Sequence, residues 1–179
     1  MKALILLPFL CWAATCAAQN CDSFIVIRKD KFTDVEELSM TRPIVKESPG
    51  NGTVTLQVLP TRNKSIILEA MVRNQTFGCT DEKGMLYFIF DHKERFSLHN
   101  QAKINFKGQS IVYVTGGLAS KEFRTLLQKK KLTAIRITSR EDSFEVDLDE
   151  RDGLELNRAF NCMLKRESVS SILRNFAAK

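Results

Sequence analysis

The sequence predicts an α+β fold: an antiparallel β-sheet, sandwich-like or strongly curved, with a C-terminal helix–β-hairpin–helix and a helical tail. Apolar residues recur at every second position through much of residues 19–115, the period of half-buried strands. Beyond Ser120 the apolar period lengthens to that of a helix. The strands precede the helices instead of alternating with them, so helices are expected to pack on one face or end of the sheet.

A leader comes first. Lys2 supplies a positive charge, Ala3 to Ala14 is almost wholly apolar, and Cys16-Ala17-Ala18 places small residues before Gln19. These are the parts of a secretory signal peptide over residues 1–18, with cleavage expected near Ala18. The apolar run is too short to span a bilayer, and no later segment is apolar enough to act as a transmembrane anchor. Neither Cys16 nor Cys21 follows the Leu-Ala-Gly-like triplet of a lipoprotein. The Ala-Gln junction is similar to signal peptides common in one group of Gram-negative bacteria, and that resemblance implies a secreted or periplasmic protein. Residues 19–166 are of a length for one α+β domain, with 167–179 as an amphipathic helical tail.

Within the domain, Phe24-Ile25-Val26-Ile27 reads as a strand, and Lys46 to Gly52 as a mobile surface loop of turn formers. Val54, Leu56 and Val58 alternate with polar neighbours, and Ile66, Leu68, Ala70 and Val72 continue the pattern after a turn at Pro60-Thr61-Arg62-Asn63. Met85 to Phe90 is continuously apolar, which predicts a strand covered on both faces. Asp91 to Glu94 turns the chain into a strand carrying Phe96 and Leu98. Ile104 and Phe106, then Ile111 to Val114, predict a further hairpin across Lys107-Gly108-Gln109.

In the last third, Ser120 is placed to cap a helix with Phe123, Leu126 and Leu127 on its buried face and Lys129-Lys130-Lys131 at its end. A hairpin follows, with Ile135 and Ile137 inward on one strand and Phe144, Val146 and Leu148 inward on the other. A turn at Arg140-Glu141 sets Arg136 opposite Glu145. Asp149 caps the next helix, with Asp152 three residues on. Leu156, Ala159, Phe160, Met163 and Leu164 make its stripe, and Val169, Ile172, Leu173 and Phe176 that of the tail. The order resembles small secreted bacterial proteins, a likeness that carries no functional motif and implies no site residues.

The net charge of +6 mixes 27 Lys and Arg with 21 Asp and Glu. This balance suits weak contact with anionic surfaces, and no nucleic acid partner is expected. The basic cluster Lys121, Arg124, Lys129, Lys130, Lys131, Arg136 and Arg140 lacks the interleaved aromatics of a single-strand binder. Past the leader, Cys21, Cys79 and Cys162 allow one intramolecular disulfide, and sequence does not choose the pair. Asn51, Asn63 and Asn74 each open a glycosylation sequon, and use of these sequons depends on the source.

Candidate chemistry is sparse. Among the acids from Glu141 to Asp152, the run Asp147, Asp149 and Asp152 comes nearest to a calcium loop. However, Arg151 stands at the fifth position and Arg158 at the twelfth, where ligands belong. His92 and His99 have no Cys or third His close in sequence, so no metal site is expected. Gly117, Ser120 and Lys121 put a flexible residue, a cap and a cation at a helix start, a place where an anion is stabilised. No Gly-x-Ser-x-Gly elbow occurs. The expectation is therefore a non-catalytic protein, without cofactor, binding a protein partner, envelope component or small ligand. The alternative is a hydrolase-like secreted enzyme with a dispersed site drawn from Cys79, His92, His99 and the acids around Asp147.

Overall fold

A computed structural model describes residues 21–29, 36–48, 52–61, 65–74, 79–140 and 142–177. The leader expected over 1–18, the sequon residues Asn51 and Asn63, and Glu141 lie outside the described residues, as do the side chains of His92 and of 167–177.

In chain order the strands are β1 (Ile25–Lys29), β2 (Glu36–Met40), β3 (Ile44–Ser48), β4 (Gly52–Pro60), β5 (Ile66–Arg73), β6 (Met85–Phe90), β7 (Arg95–His99), β8 (Gln109–Tyr113), β9 (Leu132–Thr138) and β10 (Ser143–Asp147). Helix α1 (Lys121–Lys129) lies between β8 and β9, and α2 (Glu150–Ala177) follows β10. The fold is α+β, with every strand pairing antiparallel. There are three sheets among the described residues: β1-β2, β3-β4-β5-β8 and β10-β9-β6-β7.

The alternation in the sequence sets the inner faces. Val54, Leu56 and Val58 of β4, Leu68, Ala70 and Val72 of β5, Leu86, Phe88 and Phe90 of β6, and Ile135 and Ile137 of β9 join one buried core. Helix α1 adds Phe123 and Leu127, and α2 adds Leu156, Ala159, Phe160 and Met163. Phe123 is the hub between α1 and the β6 sheet, its ring centroid 4.5 Å from that of Phe88 and 5.7 Å from that of Phe96. Dispersion over such close-packed rings adds to the apolar area removed from water. Helix α2 packs against α1, β9, β4 and β1, and a Cys21–Cys162 disulfide fastens the N-terminal segment to it.

The caps form where the residue types place them. Ser120 Oγ accepts the Phe123 amide at 3.2 Å, and Asp149 Oδ1 accepts the Asp152 amide at 2.9 Å. Each satisfies an N–H that a helix start leaves without an intrahelical partner. Glu145 stands opposite Arg136 and accepts from its Nε at 2.8 Å.

Three local expectations are corrected. Residues 104–106 form no strand: β8 pairs with β5, and Asn105 makes only an isolated bridge to Thr80. The Asn105 side chain bonds the backbone around it, the competition that draws Asn out of regular ladders. Strand β6 is covered on one face only; Leu86, Phe88 and Phe90 are buried while Tyr87 is 41% exposed. Its outward residues are apolar too, which hid the alternation. Lys46, Glu47 and Ser48 belong to β3, not to a loop, and pair with Val54, Thr53 and Gly52. They form a polar edge strand, which resists edge-to-edge association.

Candidate functional site

The charged residues singled out from sequence are largely occupied with one another. Lys46 reaches from β3 to the start of α2, its Nζ 2.8 Å from Asp149 Oδ2 and paired also with Asp152. That ammonium stands where a cation between these two carboxylates would stand. The Lys46 hydrogen bond, followed by the Asp152 amide, lowers the Asp149 carboxyl from 3.8 to about 2. The same contacts raise Lys46 above its ordinary value, Asp149 first and Asp152 second. Asp147 points outward at the end of β10. Among the described residues no group of three or more His, Cys, Asp or Glu side chains gathers as a metal site.

The basic cluster is likewise dispersed. Lys130 pairs with Glu94, Lys131 with Glu150, Arg136 with Glu145 and Arg140 with Asp81. Asp81 is the buried member: burial pushes its carboxyl up, but the Arg140 guanidinium and the Lys83 and Gly84 amides together bring it below its ordinary value. At the α1 start, Ser120 Oγ is engaged by the Phe123 amide, Gly117 has open space around it and Lys121 is exposed. Cys79 Sγ lies 3.6 Å from the Thr80 carbonyl oxygen, and His99 is exposed on β7 opposite Met85.

Two clefts remain. A cleft of about 570 Å³ lies between Phe24, Thr41 and Arg42 on one side and the first turns of α2 on the other. Its charges are mixed: Arg151 and Arg158 share it with Glu150 and Glu155, and Glu150 is bound to Lys131 at 2.7 Å. Arg158 is also engaged, 5.6 Å above the Phe24 ring.

The second cleft, about 490 Å³, crosses the solvent face of the β10-β9-β6-β7 sheet. Register builds it. Glu145, Arg136, Tyr87 and Ser97 form one cross-strand row, and Asp147, Ala134, Ile89 and Arg95 the next. Small Ala134 and Ser97 leave a hollow beside the larger Tyr87 and Ile89. Arg136 and Arg95 rim it from opposite strands, with Glu145 beside Arg136. An apolar floor with an aromatic face and the Arg95 guanidinium at its rim, Arg136 being engaged by Glu145, suits a planar apolar ligand that carries an anionic group. The groove sits on rigid strands rather than loops. Nothing in the linear spacing of residues 87, 97 and 136 announces it; the one available signal was that Tyr87 and Ile89 share a face of β6.

No protein-family model matches the chain, and no curated protein and no solved structure shows significant similarity to it.

Proposed function

We propose that this chain is a secreted or periplasmic, non-catalytic binding protein whose ligand site is the groove on the solvent face of the β6 sheet. In this reading its two larger sheets form a sandwich-like body that holds the groove rigid. The observation that carries the proposal is the placement of Tyr87, Ile89 and Ala134 between Arg95 and Arg136 in a groove of about 490 Å³. The ligand class that fits is an aromatic or alicyclic acid, its ring on Tyr87 and its anionic group on Arg95, at the side of the groove away from Glu145. Support for a non-catalytic role is that Ser120, Asp149 and Asp152 serve as helix caps or ion-pair partners. The hydrolase-like alternative would have to recruit Cys79 and His99 from outside this groove.

The test is a titration with 1-naphthalenesulfonate followed by backbone amide chemical shifts. Saturable shifts confined to β6, β7 and β9, weakened about tenfold by Tyr87→Ala and by Arg95→Ala, are expected. Absence of saturation, or shifts centred on Arg42 and Arg158, would refute it.

A further inference from the structure

Phe106 is 90% exposed and Ile104 64% exposed, although both sit on a segment firmly fastened to the protein body. Asn105, between them, is the fastening. Its backbone N–H and carbonyl exchange hydrogen bonds with Thr80 at 2.9 and 3.0 Å. Its Nδ2 donates to the Lys103 and Gln109 carbonyls at 2.9 and 3.0 Å. Its Oδ1 accepts the Lys107 and Gln109 amides at 3.1 and 3.0 Å. Gly108, at φ +66, closes the loop against Val72, whose carbonyl oxygen would lie 2.2 Å from any Cβ added there.

A slack loop would fold Phe106 back onto apolar surface. This one holds two large apolar side chains out in water, an arrangement that marks a contact surface when they stand together. Their surroundings identify what is contacted. Lys103 and Lys107 flank them and are exposed. Exposed Arg73 follows Val72, whose amide donates to the Gly108 carbonyl. From Arg95 through Lys121 the sequence contains no Asp or Glu. On the neighbouring turn, Glu82 and Lys83 offset each other. Apolar tips ringed by cations match the interface of an anionic bilayer, where apolar side chains enter the acyl boundary and ammonium groups stay with the phosphates. No helix among the described residues is long and apolar enough to cross a membrane, so the contact envisaged is peripheral.

We propose that the loop Lys103–Lys107 docks this protein onto an anionic lipid surface, with Ile104 and Phe106 inserted and Lys103, Lys107 and Arg73 on the headgroups.

Co-sedimentation with vesicles of phosphatidylglycerol and phosphatidylcholine in equal parts, against phosphatidylcholine alone, tests this. Binding to the anionic vesicles about tenfold or more above that to the neutral ones, weakened by salt, is expected. The paired changes Ile104→Ser with Phe106→Ser, and Lys103→Glu with Lys107→Glu, should each lower that binding about tenfold while leaving the thermal midpoint unchanged, since all four side chains are exposed. Failure to bind anionic vesicles, or unchanged binding in either paired variant, overturns the proposal. Self-association abolished by Phe106→Ser, with no vesicle binding, overturns it as well and assigns the loop to a second copy of the chain.

Discussion

Asn157 of α2 closes the end of α1: its Nδ2 donates to the Leu127 carbonyl at 2.7 Å and to the Gln128 carbonyl at 2.9 Å. The last turn of a helix leaves carbonyls without intrahelical partners, and here the neighbouring helix satisfies them. Asn161 continues the link, donating to Gln128 O at 3.3 Å and to Asn157 Oδ1 at 3.2 Å. Asn157→Ala should destabilise the fold by about 1–3 kcal/mol, the cost of stranding partly buried acceptors. Asn157→Asp should cost more, because a carboxylate cannot donate and meets the negative end of the α1 dipole. Urea unfolding of both variants reads the order; Asp better tolerated than Ala would contradict the assignment.

Gly153 lies in the second turn of α2, where an added Cβ would stand 2.4 Å from the Leu132 carbonyl oxygen of β9. Helix propensity alone favours Ala over Gly by about 1 kcal/mol. Overpacking against backbone costs about 1–3 kcal/mol, so Gly153→Ala should lower stability on balance. Gly117→Ala is the control: no atom lies within 4 Å of its added Cβ, and its thermal midpoint should match that of the parent. A stabilised Gly153→Ala protein would mean that α2 shifts off β9 without penalty.

These close approaches were illegible in the sequence, whereas much of the skeleton was readable. The alternation of Val54, Leu56 and Val58 identified β4, and the pairing of Arg136 with Glu145 follows from the apolar alternation of the two strands. Ser120 and Asp149 were recognisable caps because capping is decided within four residues. The β2 strand went unread because only Leu38 and Met40 interrupt its polar residues, and its pairing with β1 is what makes it a strand. Ile104 and Phe106 misled because apolar spacing resembled a strand while Asn105 pinned the backbone otherwise. The groove depends on β6 meeting β9 across the intervening β7, β8 and α1, a relationship that no local pattern encodes.

The Cys21–Cys162 bridge joins residues 141 apart and ties the segment before β1 to the buried face of α2. Cross-linking so distant a pair restricts the unfolded chain, worth about 4–5 kcal/mol in the chain-entropy description. Reduction, or the paired change Cys21→Ser with Cys162→Ser, should therefore lower the denaturant midpoint markedly. Cys79 is the free cysteine among the described residues, half-buried beside Thr80. Cys79→Ser should leave that midpoint nearly unchanged, and a loss of stability as large as that of the paired variant would reassign the bridge.

Lys46, Asp149 and Asp152 couple the β3 edge to the cap of α2, and their stabilising effect depends on pH. The Asp149 carboxyl is lowered from 3.8 to about 2 in the folded protein, chiefly by the Lys46 hydrogen bond. A group that holds its proton less tightly when folded contributes stability above its unfolded value, and loses it as pH falls through the folded one. The contribution is thus complete above about pH 4 and gone near pH 2. Lys46 is raised above 10.5, so its own contribution is complete below that value and fades as pH climbs past it. Lys46→Met should leave the protein less stable than its parent at neutral pH, with the two thermal-midpoint curves converging on the acid side as Asp149 takes up its proton. Exposure of Asp149 keeps the effect modest and sensitive to salt. Curves that stay parallel from neutral pH down to about pH 2 would show that the ammonium is a bystander to the cap.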